Sequence, residues 1–271
     1  MLEIRRLCNA HGLKYSLAYG TLLGAIRHKG FIPWDDDSDV IMTRENYTRF
    51  CEVCHAELNP IYSFHSFETD PDYPFLFAKI CLRGTVMTCT ATEGGILSHG
   101  VWVDIFVCDN APNGVFKQYL HKYTLKWLKS GYNSLLNVGL SRSPFLWAVR
   151  YLVTLPLRCM GQNSVKKMIK AEMIRYNSMN TQFIVDTGSP DYWRNLFRSS
   201  VFMETIDVEY EGYYLSTVKE YHEVLSTTYG DYMIPPPEDQ RCGHDLNRVD
   251  CGKYDNIEII LAEIHKLYGY R

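Results

Sequence analysis

Apolar residues recur at helical spacing through residues 2–12, and Gly12 stops the pattern. Residues 14–19 (KYSLAY) predict a strand. Helical spacing returns over 20–28, with Leu22, Leu23 and Ile26 on one side. Gly30 and Pro33 punctuate a turn at 29–34, since Pro33 cannot continue a helix. Residues 37–42 (DSDVIM) alternate as a short strand, and Thr43 is a suitable N-cap for a helix to about residue 58. Strand-like runs follow at 62–67, 74–81, 86–90 and 101–107. A helical stretch covers 116–180, then β-like sequence 202–214, a helix 218–229, a Pro-rich turn at 234–237 and a last helix 257–268. No internal repeat or low-complexity tract interrupts this order. It predicts an α+β fold, a mixed β-sheet flanked by helices, with a helical insertion. The expected organisation is one domain over 1–271, its core at 1–115 and 200–271 and a helical subdomain at 116–180.

Composition narrows the options. With 271 residues, 46% of them apolar, the chain can bury a large core and is not disordered. A net charge of −3 excludes a globally basic nucleic-acid binder, and nucleic acid is not an expected partner. The first dozen residues lack an apolar core of the signal-peptide kind, and no stretch is long and apolar enough to predict a membrane span. Nine scattered cysteines suit a reduced, cytoplasmic protein. Cys51 and Cys54 form a lone C-x-x-C without a second pair, so core packing is the simpler role.

The charge is unevenly spread. Residues 116–175 hold eleven Lys and Arg and one acid, Glu172, a local +10 that leaves −13 for the remainder. Aromatic residues interleave with these cations, and 145–157 (FLWAVRYLVTLPL) is too short to span a bilayer but can lie in its interface. This pattern points to an anionic membrane surface as a partner, with peripheral association on the inner face of the cell membrane. The alternatives are that the cations line a phosphate site or complement the acidic remainder.

The richest chemistry lies between Tyr19 and Met42. Asp35, Asp36, Asp37 and Asp39 are packed into five residues that run straight into an apolar strand. In an extended chain Asp37 and Asp39 share one face, and such a pair calls for a hard divalent cation, Mg²⁺ with Mn²⁺ as the alternative. Asp104 interrupts another apolar strand, where a lone carboxylate is costly unless it is paired or metal-bound. The expected metal set is Asp37, Asp39 and Asp104, with Asp36 structural and Asp35 an outer partner. Gly20-Thr21, between a strand and a helix, offers N–H groups and a hydroxyl to a phosphate. Arg27, Lys29 and Lys79 are the cations nearest these motifs. Lys79 sits in an apolar run, where either an ion pair or contact with a substrate anion would explain it.

YGTLLGAIRHKGFIPWDDDSDVIM resembles the signature of the LicD family, which includes fukutin-related protein. GVWVDIF and TTYGDYMIPPPEDQRCGH resemble later segments of the same family. The resemblance is dense over 14–110, returns at about 200–245 and is thin between. It implies a nucleotidyltransferase-like core and transfer of a phospho-substituent, typically phosphocholine from CDP-choline, to a hydroxyl of a cell-surface glycan such as teichoic acid or lipopolysaccharide. Asp37 and Asp39 fall on the family's D-x-D pair and Asp104 on its third carboxylate. Ser38 departs from the family's usual apolar residue. The fukutin-related zinc loop has no evident counterpart, so no zinc is expected.

In this scheme Asp37, Asp39 and Asp104 are the catalytic residues, and Asp104 also takes the acceptor's proton. Gly20, Thr21, Arg27, Lys29, Trp34, Lys79, Arg241 and His244 contact the CDP-linked donor or the glycan acceptor. Two competing functions stay open at this point. D-x-D also suits a glycosyltransferase that uses a nucleotide-sugar, and a non-catalytic glycan- or membrane-binding relative would keep the fold.

Overall fold

The computed structural model describes residues 1–70, 73–89, 100–136, 143–189, 191–241, 243 and 246–270. Its centre is a mixed sheet in the order β1-β2-β6-β4-β3, formed by Ser16–Leu17, Asp39–Thr43, Trp102–Ala111, Ala78–Leu82 and Tyr62–His65. β2 and β6 run parallel, and the other pairs along this path are antiparallel. β6 is long enough to take two successive partners on one side. Residues 102–105 pair with β4, and 108–111 pair with β7 (Phe183–Asp186), which extends to β8 (Leu196–Arg198). The switch falls at Phe106-Val107 and opens the sheet there. Among the described residues, β9 (Thr205–Tyr210) and β10 (Tyr213–Val218) form a hairpin, and β5 (Val86–Cys89) pairs antiparallel with the sequence-distant β11 (Leu246–Asp250).

Helices α1 (Leu2–His11), α2 (Tyr19–His28) and α3 (Arg44–Glu57) pack on this sheet. Their apolar faces meet Val40, Met42, Ile105 and Val107 in the main core. Gly12 ends α1 at φ 61, a conformation that glycine adopts without strain. β2 is buried on both faces, with Ile41 in a separate cluster with Ala18, Cys108 and Phe197. This explains why its sequence reads as a continuous apolar run. Helices α4 (Val115–Leu135), α5 (Pro144–Met160) and α6 (Gln162–Met173) build another core around Tyr132, Leu157 and Ile169. After α7 (Tyr221–Tyr229), α8 (Ile257–Tyr268) returns to the first helix, where the Tyr268 hydroxyl donates to Glu3 Oε2 at 3.1 Å.

The α+β architecture is as expected, with three local corrections. Among the described residues the helical stretch 116–180 holds three helices, the last ending at Met173. The helix expected from 218 starts at Tyr221, because Val218 completes the β10 strand. Strands β7, β8 and β11 lie outside the strand-like runs expected, being three to five residues long with no sustained alternation. Cys54 is buried and Cys51 half-buried on α3, and burial pushes the Cys51 thiol up to about 12 and the Cys54 thiol higher still, as befits core packing.

Candidate active site

The parallel register of β2 and β6 sets Asp39 directly opposite Asp104, and the antiparallel register of β6 and β4 sets Asp104 opposite Lys79. Three adjacent strands thus carry acid, acid and base in one row. Asp37 precedes β2, and its carboxylate joins those of Asp39 and Asp104 with ligand atoms all within 4.8 Å of one another. A second trio, Asp35, Asp36 and Asp37, meets the same criterion, so Asp37 belongs to both. Asp39 and Asp104 are buried. Burial holds the Asp39 carboxyl well above the usual carboxylate range, and repulsion from Asp37, Asp104 and Asp35 adds to it. All-oxygen donors at this separation, with one acid held up by its neighbours, fit a hard divalent cation.

Lys79 Nζ donates to Asp104 Oδ1 at 2.6 Å and lies 4.1 Å from the Trp102 ring centroid. Its buried ammonium is therefore committed to a carboxylate and an aromatic face, not to the cleft. Ser38 also resolves simply. Its side chain borders a different cavity, with Tyr210, while its carbonyl accepts the Asp104 N–H at 2.8 Å.

A cleft of about 670 Å³ lies over the carboxylates, lined by Gly20, Arg27, Trp34, Asp35, Asp37, Asp39 and Asp104 among others. Gly20 and Thr21 form the first turn of α2 as expected, and of the two Gly20 is among the residues that line the cleft. The buried Thr21 hydroxyl accepts the Asp39 N–H at 2.7 Å, so it fixes the start of β2. A Cβ on Gly20 would overlap the Asp35 carboxylate, which packs directly over it. Gly20→Ala is therefore expected to push Asp35 out of place and cost about 10²-fold in kcat, the effect of a 1 Å misplacement. The melting temperature should hold or rise, because alanine is the better helix former. Steady-state kinetics beside a thermal melt checks this split; a melt that falls with the activity would mean a general packing defect.

Trp34 is flanked by two guanidiniums, with Arg241 at 4.9 Å and Arg27 at 6.0 Å from its ring centroid. Arg27 donates to the Tyr232 carbonyl at 2.9 Å, and Arg241 to that of Pro236 at 2.9 Å. Two like charges on one indole make an anion welcome between them. Lys29 points elsewhere, 3.2 Å from the exposed Glu209. His244 lies outside the described residues.

Two residues outside the expected site also meet beside the cleft, Tyr19 and Asp186. Tyr19 opens α2 at φ 46, a left-handed conformation unfavourable for a residue with a side chain. Its hydroxyl donates to the buried Asp186 at the end of β7, which also accepts the Gly188 N–H at 2.7 Å. The signal was present: Phe183-Ile184-Val185-Asp186 is an apolar run ending in a lone acid, the cue that singled out Asp104. Tyr19 also packs edge-on against Phe106 at 4.9 Å, and Phe106 lies 4.5 Å from Phe77. These three rings form one aromatic wall of the cleft.

Comparison with known proteins adds the family. The family profile for LicD/FKTN/FKRP, nucleotidyltransferase domain, matches residues 12–77, which carry α2 and the acidic segment. Lipopolysaccharide cholinephosphotransferase LicD of Haemophilus influenzae is 31% identical over 255 residues, spanning 88% of this chain and 89% of that protein. An uncharacterized protein of Rickettsia typhi is 40% identical over 53 residues, 20% of this chain and 17% of its own length. With identity sustained across nearly the full length of both chains, this protein belongs to the LicD family of phosphotransferases.

Proposed function

We propose that this protein transfers phosphocholine from CDP-choline to a hydroxyl of a cell-surface glycan in a Mg²⁺-dependent reaction that releases CMP. The observation that carries the proposal is the meeting of Asp37, Asp39 and Asp104 on the floor of the cleft. The Haemophilus relative supports phosphocholine as the transferred group and lipopolysaccharide as the kind of acceptor. A divalent cation bound there would offset charge on the donor's pyrophosphate and on the leaving nucleotide. Asp37, Asp39 and Asp104 would hold that cation. Arg27 and Arg241 bind donor phosphate beside Trp34, and Asp104 is the carboxylate assigned to receive the acceptor's proton. Tyr19, Phe77 and Phe106 offer aromatic faces to a quaternary ammonium, the surface that choline favours. The Trp34 ring is engaged by the two arginines and is a poorer host.

The test is product release from purified protein with lipopolysaccharide, Mg²⁺ and either CDP-choline or UDP-sugars. CMP formation that stops on chelation supports the proposal. UDP formation instead would assign a D-x-D glycosyltransferase, and no turnover with any donor would favour a binding protein.

The acceptor's membrane is the proposed meeting place. No helix among the described residues is long and apolar enough to cross a bilayer. Yet Phe116 is 81% exposed, Phe145 74% and Leu152 67%, on the two helices that carry much of the basic charge. Such residues suit shallow insertion into an anionic surface on the cytoplasmic side, with each nearby Lys or Arg adding about 1 kcal/mol. The protein should float with phosphatidylglycerol vesicles and be released by high salt, and Phe145→Glu with Leu152→Glu should abolish flotation. Equal failure of the wild type on anionic and neutral vesicles would remove this part of the proposal.

A further inference from the structure

A second cavity, of about 390 Å³, is walled by Lys122, Lys126, Lys129 and Arg150, with Asp186 and Ser189. Ser189 also lines the carboxylate cleft, so the two spaces adjoin. Among the described residues that line it, four cations accompany one acid, and that acid already accepts from the Tyr19 hydroxyl and the Gly188 N–H. Among the described residues, Lys122, Lys126 and Lys129 form no ion pair with a carboxylate. Lys122 instead lies 5.3 Å from the Trp193 ring centroid, and Lys129 donates to the carbonyls of Gly188 and Ser189 at 3.3 and 3.1 Å. Burial pulls the Lys129 ammonium down to about 8, a cost that a bound anion would offset.

We propose that this basic cavity binds an anionic substituent, a phosphate, carried by the acceptor glycan. Anchored there, the acceptor reaches past Ser189 and presents its hydroxyl to the carboxylate cleft. The donor has its own cations, Arg27 and Arg241 around Trp34, of which Arg27 and Trp34 line the carboxylate cleft and not this cavity. The cavity therefore selects acceptors and leaves donor choice to the cleft. The role assigned to the ligand rests on the proposed transfer reaction; the affinity for an anion does not.

Two measurements separate these claims. Inorganic phosphate, titrated calorimetrically with chelator present, should bind the wild type and bind Lys122→Gln/Lys126→Gln at least tenfold more weakly. Lys126 is exposed and Lys122 half-buried, so the double variant should fold, and Lys126→Gln alone is the milder version. Equal phosphate affinity in wild type and variants would overturn the proposal, whether or not CDP-choline proves to be the donor. In the transfer assay, the double variant should raise the acceptor KM about tenfold for intact lipopolysaccharide and not for a dephosphorylated acceptor. An equal loss with both acceptors would overturn the acceptor role. So would phosphate binding whose removal abolishes vesicle flotation and leaves the acceptor KM in place, since the anion would then be a lipid headgroup.

Discussion

Asp39→Asn is expected to lower kcat for phosphocholine transfer by about 10³-fold or more, equivalent to about 4 kcal/mol of transition-state stabilisation. The protein should stay folded. Asparagine keeps the shape and loses the charge that Asp37, Asp104 and Asp35 repel. Because burial raises the Asp39 pKa above its unfolded value, the folded state retains a proton that the unfolded chain has lost. The stability this group contributes is therefore full below the ordinary carboxylate range and declines as pH rises through the raised folded value. Asp39→Asn removes that decline, so without divalent cation the variant should be at least as stable as the wild type at neutral pH. CMP release and melts across pH, in chelator and in Mg²⁺, check both halves. Retained Mg²⁺-dependent turnover in the variant would end the role assigned to Asp39.

Lys79→Met should show the opposite profile, a large loss of stability. The variant leaves Asp104 buried among Asp37 and Asp39 without its 2.6 Å ammonium partner. Breaking a buried pair from one side costs about 3–5 kcal/mol. A divalent cation in the carboxylate cluster should restore part of it, so Mg²⁺ should raise the melting temperature of the variant more than that of the wild type. A variant as stable as the wild type in chelator would mean that Asp104 does not depend on Lys79. Denaturant titrations with and without Mg²⁺ supply the comparison.

Much of the site could be read from residue order because its chemistry is dense and local. Asp37 and Asp39 stand two apart in an extended segment, and Asp104 is conspicuous in an apolar strand; the fold brings all three together. The first turn of α2 was equally legible, but the work of Thr21 was not, since its hydroxyl bonds a backbone N–H eighteen residues away. Lys79 was ambiguous because its partner depends on the β4–β6 register, which alternation alone does not set. Asp186 escaped notice because its short strand follows a long helical region and pairs with β6 from a distance in sequence. The cavity between Lys126 and Arg150 depends on helix packing, and only the charge that lines it was visible beforehand.

The two-partner strand β6 also bears on how the protein comes into being. On the ribosome β6 is complete once Ala111 has emerged, and β2 and β4 are already there to receive its first half. Its second half must wait for Phe183, until which Asp109 to Ala111 have no β7 to cover that side. Through that interval the nascent chain carries an open strand edge while the apolar, cationic helices 115–173 are being made. The stretch of synthesis between these two strands is the interval in which that edge is open to pairing with another chain.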